Sequence, residues 1–131
     1  MTSKDIVRHF FALSEAGKTE ECFALFSEDL QWTNHGSSSL SGTYNGKPEV
    51  MSALLGPLFS TLKAGIQMQI EDMTAEGSKV VVQAKGFAET KDGIPYNNTY
   101  CMIFEIRDNS IVAVEEYSDT LLIESVFGSG L

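Results

Sequence analysis

The chain has 131 residues, a formal net charge of −9 and a hydrophobic content of 43%. That length suits one domain with a sizeable core, and we expect residues 1–131 to form it. The acidic charge argues against nucleic acid and anionic membranes as partners, because both require a basic surface. No apolar run in the sequence is long enough to span a bilayer.

The first residues, MTSKDIVRHF, lack the basic start and apolar core of a signal peptide. We therefore expect a cytoplasmic protein. In that compartment Cys22 and Cys101 are expected to be reduced thiols, with a disulfide as the lesser alternative.

Two helices are predicted at the start of the chain. Thr2 and Asp5 have the spacing of a capping box, and the apolar stripe that follows predicts a helix to about Glu15. Thr19 is placed to cap a second, short helix over Glu20–Phe26. Both helices carry an apolar face that needs a partner.

One strand and one loop follow. Residues Leu30–His35 alternate, which places Trp32 and Asn34 on the same inward face. The segment Gly36–Gly46 is small and polar and predicts a loop. Because few apolar residues anchor this loop, we expect it to be mobile and to gate a cavity.

A third helix opens at Pro48 and is expected to kink or restart at Pro57, where proline removes a backbone donor. Strands dominate the rest of the chain. Alternation predicts a strand that begins near Ile66 and another over Val80–Glu89. A last short helix, Thr120–Phe127, follows Asp119 or Ser118 as its cap.

The long hairpin Tyr96–Asp119, with its turn at residues 107–110, organises the sheet. Its polar residues Asn98, Tyr100 and Glu116 fall on the same faces as apolar ones: Met102, Phe104, Val112 and Val114. A polar side chain in an apolar row must be hydrogen-bonded or must line a cavity. A one-residue bulge would instead turn Tyr117 inward.

Helices first and consecutive strands later are typical of an α+β fold. We expect a cone in which a strongly curved, mostly antiparallel sheet wraps around the N-terminal helices and leaves an internal pocket. Two histidines far apart in sequence, with no paired cysteine or histidine spacing, argue against a zinc site. No metal and no cofactor is expected.

Three stretches resemble the nuclear transport factor 2-like superfamily, and within it the SnoaL-like group of polyketide cyclases, ketosteroid isomerases and epoxide hydrolases. They are Ala16–Asn34, Leu40–Val50 and Asp92–Thr120, of which the last is the most specific. The resemblance implies a cone-shaped fold that holds a small apolar organic ligand. It also implies a homodimer formed through the outer face of the sheet, where we expect a patch of four residues: Val81, Phe87, Cys101 and Ile103.

Catalytic residues of the named enzymes carry over poorly. The position that matches the isomerases' aspartate is Asn34, and their oxyanion-holding tyrosine falls at Phe10. The second oxyanion aspartate falls near Cys101 or Met102. Of the epoxide hydrolases' acidic groups only the last survives, as Glu116.

The candidate catalytic residues are Glu116, Asp119, Asn34 and His35. Glu116 is either the base, because apolar neighbours raise the pKa of a carboxyl group, or a structural carboxyl group held by a hydroxyl or by a helix N-terminus. Asp119 is either a helix cap or a base. Asn34 can orient a substrate but cannot accept a proton, and His35 is either exposed or placed at the loop entrance.

Ten residues are candidate ligand contacts, although many of them are expected to serve first as core: Phe10, Trp32, Met51, Leu55, Met68, Asn98, Tyr100, Met102, Phe104 and Tyr117. Two functions remain open at this point. One is a cofactor-free enzyme for isomerisation, cyclisation or hydration. The other is a non-catalytic ligand-binding or adaptor domain of the same fold.

Overall fold

The computed structural model describes residues 1–128 and 131. Helices fill most of the first half, in the order α1 (Ser3–Glu15), α2 (Thr19–Phe23), α3 (Lys47–Glu49), a π-helical segment (Val50–Leu55) and α4 (Gly56–Thr61). The strands are β1 (Phe26–Asn34), β2 (Gly42–Asn45), β3 (Gln67–Glu76), β4 (Lys79–Phe87), β5 (Thr99–Arg107) and β6 (Ser110–Ser118). Helix α5 (Thr120–Phe127) follows β6.

The strands form one curved, open sheet in the order β2-β1-β6-β5-β4-β3. Strand β1 runs parallel to β6, and every other neighbouring pair is antiparallel. Helix α1 packs across β3, β4 and β5. The expected α+β architecture, a mostly antiparallel sheet curved around N-terminal helices, is therefore confirmed.

Helix α1 begins as the sequence predicts. The Thr2 side chain accepts a hydrogen bond from the Asp5 backbone N–H at 3.1 Å, and Asp5 accepts one in return from the Thr2 backbone N–H at 3.0 Å. Helix α2 differs from the prediction, because Lys18 rather than Thr19 precedes it and it ends at Phe23. Phe26 is instead a buried strand residue, because its ring packs between those of other core aromatics: Phe10, Phe23 and Trp32.

Strand β2 lies inside the segment predicted to be a loop. Its four residues pair with β1, and the Thr33 and Thr43 hydroxyl groups lie 3.1 Å apart across the pair. The two apolar residues of this segment, Leu40 and Tyr44, pack against the core clusters and anchor it. The Leu40 side chain is buried, and its carbonyl accepts hydrogen bonds from Asn34 Nδ2 and the Tyr44 hydroxyl. The mobility of this loop stays a prediction.

The third helical region restarts where proline requires it, as predicted. The backbone N–H of Gly56 donates to the Met51 carbonyl, five residues back, and α4 starts there with Pro57 in its first turn. Pro57 has no backbone N–H to donate. The π-helical turn, whose hydrogen bonds span five residues, comes directly before it. A Cβ at Gly56 would lie 2.6 Å from the Met51 carbonyl oxygen, so the glycine permits this close approach.

The hairpin of β5 and β6 turns at Asp108 and Asn109, whose φ angles are 51° and 59°. Positive φ at both central residues is the geometry that suits a two-residue hairpin. A bulge follows, because Ile106 pairs with Ile111 while Glu105 pairs with Ala113. The prediction that Val112 faces the core is wrong for this reason: it is the extra residue.

The inward residues of β6, the bulged strand, form part of the core. Ile111 and Val114 are fully buried, whereas Val112 is partly exposed. From Val114 onward the alternation is regular, so Glu116 keeps the inward direction that the sequence predicted. A smaller buried cluster joins Leu40, Tyr96 and Ile123. The sequence also predicts a frayed tail over Gly128–Gly130, of which Ser129 and Gly130 lie outside the described residues.

Candidate functional site

The concave face of the sheet and the helices over it enclose a cavity of about 490 Å³. A volume of this order suits a small organic molecule. Its wall is largely apolar and aromatic and includes Phe10, Phe23, Phe26, Trp32, Met51, Leu55, Phe59, Met68 and Met102. Because few polar groups lie on this wall, those few determine what chemistry the cavity can perform.

Glu116 is the one carboxyl group on the cavity wall among the described residues. It lies between two inward neighbours, since it pairs with Met102 of β5 on one side and Asn34 of β1 on the other. Burial raises the pKa of Glu116 from its ordinary value of 4.5 to about 7, because the charged form loses hydration. No hydrogen bond or cation from the described residues offsets that loss.

Tyr100 contributes a second unsatisfied group. Its side chain is 5% exposed, and its hydroxyl has no hydrogen-bond partner within the described part of the chain. Gly86 makes room for its ring, because a Cβ at Gly86 would lie 2.6 Å from Tyr100 Cε2. Burial raises the pKa of the Tyr100 hydroxyl well above its usual range, and the nearby Tyr96 and Glu116 act in the same direction. The hydroxyl therefore remains a neutral donor.

Asn34 lines the cavity but is already engaged. Its Oδ1 accepts a hydrogen bond from Trp32 Nε1 at 2.9 Å, and its Nδ2 donates to the Leu40 carbonyl at 3.1 Å. Its side chain thus fixes the Trp32 indole and the loop that carries Leu40. A role for Asn34 in positioning the cavity wall fits these contacts better than direct action on a substrate.

Asn98 does not line the cavity. Its Nδ2 donates to the Tyr96 hydroxyl at 3.1 Å and to the Asp119 carbonyl at 3.2 Å, while its Oδ1 accepts from the Asp119 N–H at 3.0 Å. Both amide hydrogens are used, so no donor is left for a ligand. Asn98 clamps the end of β6 to the start of β5.

Asp119 caps helix α5. Its Oδ1 accepts hydrogen bonds from the backbone N–H groups of Leu121 and Leu122 at 3.1 and 3.3 Å. The residue is exposed and is not part of the cavity wall. Of the two alternatives that the sequence left open, the contacts match the helix cap.

His35 and Tyr117 lie on the outer face of the sheet. The His35 ring stacks on Tyr117, with ring centroids 4.1 Å apart, and its Nε2 lies 2.8 Å from Glu115 Oε1. Neither ring lines the cavity, because both follow the strand positions opposite to those of Asn34 and Glu116. The structure therefore does not bring His35 or Tyr117 to the candidate site.

The remaining predicted contacts divide into wall and core. Nine of the predicted residues lie on the cavity wall: Phe10, Asn34, Trp32, Met51, Leu55, Met68, Tyr100, Met102 and Glu116. Phe104 is fully buried behind it, against Phe10 and Phe11. Tyr96, which the alternation offers as either a wall or a core residue, also lies on the cavity wall, whereas Phe59 was visible only as part of a helical stripe.

Two absences hold for residues 1–128 and 131. No three histidine, cysteine or acidic side chains there are grouped to hold a metal ion. Within the same described ranges, no helix has both the length and the apolar character to cross a membrane. Cys22 and Cys101 are both free thiols.

Comparison with known proteins assigns the family. The model of the SnoaL-like domain matches residues 7–114. The chain therefore belongs to the SnoaL-like domain family, as the resemblance in its sequence indicated. No curated protein matches it.

Solved structures show the same fold. A protein of unknown function with a cystatin-like fold from Xanthomonas campestris is 22% identical, with a TM-score of 0.85 and coverage of 98% of this chain and 99% of that one. TerC, co-crystallised with polyporic acid, is 17% identical, with a TM-score of 0.78 and coverage of 94% and 95%.

A third neighbour is a protein with a ketosteroid isomerase-like fold from Catenulispora acidiphila in complex with trimethylamine. It is 17% identical, with a TM-score of 0.70 and coverage of 89% of this chain and 86% of that one. The two ligands named for these neighbours differ in chemistry. These likenesses show the fold, and a fold does not by itself specify a ligand.

Proposed function

We propose that this SnoaL-like protein binds a small, largely apolar organic molecule and catalyses a cofactor-independent proton transfer on it. The observation that carries the proposal is Glu116, a cavity carboxyl group whose pKa burial raises to about 7. A base with that pKa accepts and returns a proton near neutral pH. Isomerisation, cyclisation and hydration all require such a step.

Tyr100 complements the base. As Glu116 takes a proton from a ligand C–H group or from water, negative charge develops on the ligand or on the attacking oxygen. The unpartnered Tyr100 O–H can donate a hydrogen bond to a ligand oxygen that gains this charge.

Deuterium exchange tests this proposal without a known substrate. The protein is incubated in D₂O with small cyclic ketones and enones, and the loss of C–H signals is followed by proton NMR. Catalysed exchange that saturates with ligand concentration supports the proposal. Binding without exchange across the whole panel would contradict it.

A non-catalytic ligand-binding domain is the second candidate. Asn34 favours it, because the residue at this position is committed to Trp32 and Leu40 and cannot act as a base. Native mass spectrometry of the protein purified from its own cells separates the two candidates. An unmodified ligand that stays bound through purification and is not converted on incubation favours storage or transport.

We also propose that the protein is a cytoplasmic homodimer. Support comes from the outer face of the sheet, where Phe87 and Tyr117 are 43% and 46% exposed. Val81, Cys101 and Ile103 are partly exposed between them. Light scattering at micromolar concentration tests the assembly, with Phe87→Glu as the variant expected to give monomers, and a monomeric wild-type mass would overturn it.

A further inference from the structure

We infer that the molecule held in this cavity carries a positive charge, as a protonated or quaternary amine, at the end that faces Glu116. The inference rests on the proposed function in one respect, namely that the cavity binds a small organic molecule. It adds the charge of that molecule, which a largely apolar cavity does not by itself specify.

The first argument is a missing counter-charge. Glu116 is the one carboxyl group on the described wall, and no lysine, arginine or histidine lines the wall with it. Two basic side chains with acidic partners lie elsewhere: His35 Nε2 lies against Glu115 on the outer face, and Lys63 lies 2.6 Å from Glu89. A carboxylate that faces a largely apolar cavity without a partner is costly, so a cation in the cavity would supply what the described chain does not.

The second argument is the aromatic character of this part of the wall. Tyr100 and Tyr96 lie close enough to Glu116 for its charge to raise the pKa of both hydroxyls. Trp32 lies two residues before Asn34, which pairs with Glu116 across β1 and β6. Aromatic rings attract a cation over their faces, and a site that combines such rings with a carboxylate is suited to quaternary and protonated amines.

The same features disfavour an anion. A carboxylate or phosphate placed beside Glu116 would add a second negative charge, and no basic side chain of the described wall would balance either. A cation has the opposite effect, because it favours the ionised form of Glu116. Ligand binding would then hold the carboxyl group in the form that accepts a proton.

Two probes of the same shape and different charge test the inference: phenyltrimethylammonium and its neutral isostere tert-butylbenzene. Trp32 is the single tryptophan of the sequence and lines the cavity, so its fluorescence reports binding of either probe. We expect the cation to bind at least about 10-fold more tightly than the isostere. 4-tert-Butylbenzoate, an anion on a similar frame, should bind more weakly than both.

Paired variants assign the effect to Glu116. Glu116→Gln should weaken binding of the cation on the order of 10-fold or more and leave tert-butylbenzene unchanged. Glu115→Gln removes the adjacent acid on the outer face and should alter neither. The comparison of the two probes on the wild-type protein still tests the inference if Glu116→Gln does not fold or is insoluble.

The outcomes separate the inference from the proposed function. If tert-butylbenzene binds as tightly as the cation, or if Glu116→Gln leaves cation binding intact, the inference is overturned while the ligand cavity stands. If neither probe changes Trp32 fluorescence or the thermal midpoint, both the inference and the binding function are contradicted.

Discussion

Glu115 and Glu116 are neighbours in sequence and opposites in environment. Glu115 points outward, keeps 43% of its side-chain surface exposed and lies 2.8 Å from His35 Nε2. Glu116 points inward, lines the cavity and meets no cation, and burial raises its pKa to about 7. Because successive strand residues face opposite sides of a sheet, one step along β6 converts a surface acid into a candidate base.

The comparison shows that residue type alone does not identify a functional group. His35 also appeared suitable for proton transfer, but it shares the outer face with Glu115 and Tyr117. The inner face supplies burial without a charge partner, and it is this combination that moves a pKa toward neutrality. The predictions below alter one face at a time.

The largest expected effect is on catalysis. Glu116→Gln keeps the shape of the side chain and removes the base, so the exchange rate in D₂O should fall on the order of 10²–10⁴-fold. Glu115→Gln is the matched control and should retain the wild-type rate. Equal rates in all three proteins would exclude Glu116 as the proton acceptor.

The next effect is on the pH dependence of stability. The folded protein holds the Glu116 proton up to about pH 7, whereas an unperturbed glutamate releases it near 4.5. In that interval the folded state binds more protons than the unfolded state, so the contribution of Glu116 to stability is fully present below pH 4.5 and is lost as the pH rises. The loss should be at most about 3 kcal/mol by pH 8.

Urea unfolding at pH 5 and pH 8 measures this loss as a difference between proteins. The wild type should lose more stability than Glu116→Gln over the interval, while Glu115→Gln should behave as the wild type does. A wild type and a Glu116→Gln variant with parallel pH profiles would show that the Glu116 carboxyl group is solvated in the folded state.

A smaller effect is expected where Gly86 packs against Tyr100. In Gly86→Ala the new Cβ would lie 2.6 Å from Tyr100 Cε2 and 2.9 Å from Ile66 Cγ2, so the Tyr100 ring must move. We expect a loss of roughly 1–3 kcal/mol in unfolding free energy. Gly65→Ala is a matched control, because no atom lies within 4 Å of its added Cβ. Equal stability of the two variants would contradict the close packing of Tyr100 on Gly86.

The smallest effect belongs to the outer face. Glu115→Gln removes the carboxylate that His35 Nε2 contacts and should change the unfolding free energy by no more than about 1 kcal/mol, because both side chains are partly exposed to solvent. Denaturant titration at low and at 0.5 M salt measures it, and the difference from wild type should shrink at the higher ionic strength. A loss of several kcal/mol would show that this pair is shielded from solvent, as a dimer interface would shield it.

The sequence by itself determined the features that depend on neighbouring residues. The capping box at Thr2, the interruption at Pro57 and the two-residue turn at Asp108 and Asn109 each arise from local backbone chemistry. The inward direction of Glu116 followed from alternation counted from Val114, even though the count was wrong at Val112. The family was visible for the same reason, since its motifs are runs of consecutive residues.

Only the tertiary structure decided which polar side chains remain free. Asn98 and Glu116 look alike in the sequence, as polar residues among apolar ones, yet Asn98 finds its partners at Tyr96, Thr99 and Asp119. Strand β2 and the true end of α2 were also unpredictable. Thr43 is in a strand because it pairs with β1, and Phe26 lies outside α2 because its ring packs against core aromatic rings. Hydrogen-bond partners and desolvation come from segments far apart in the chain, so local pattern does not contain them.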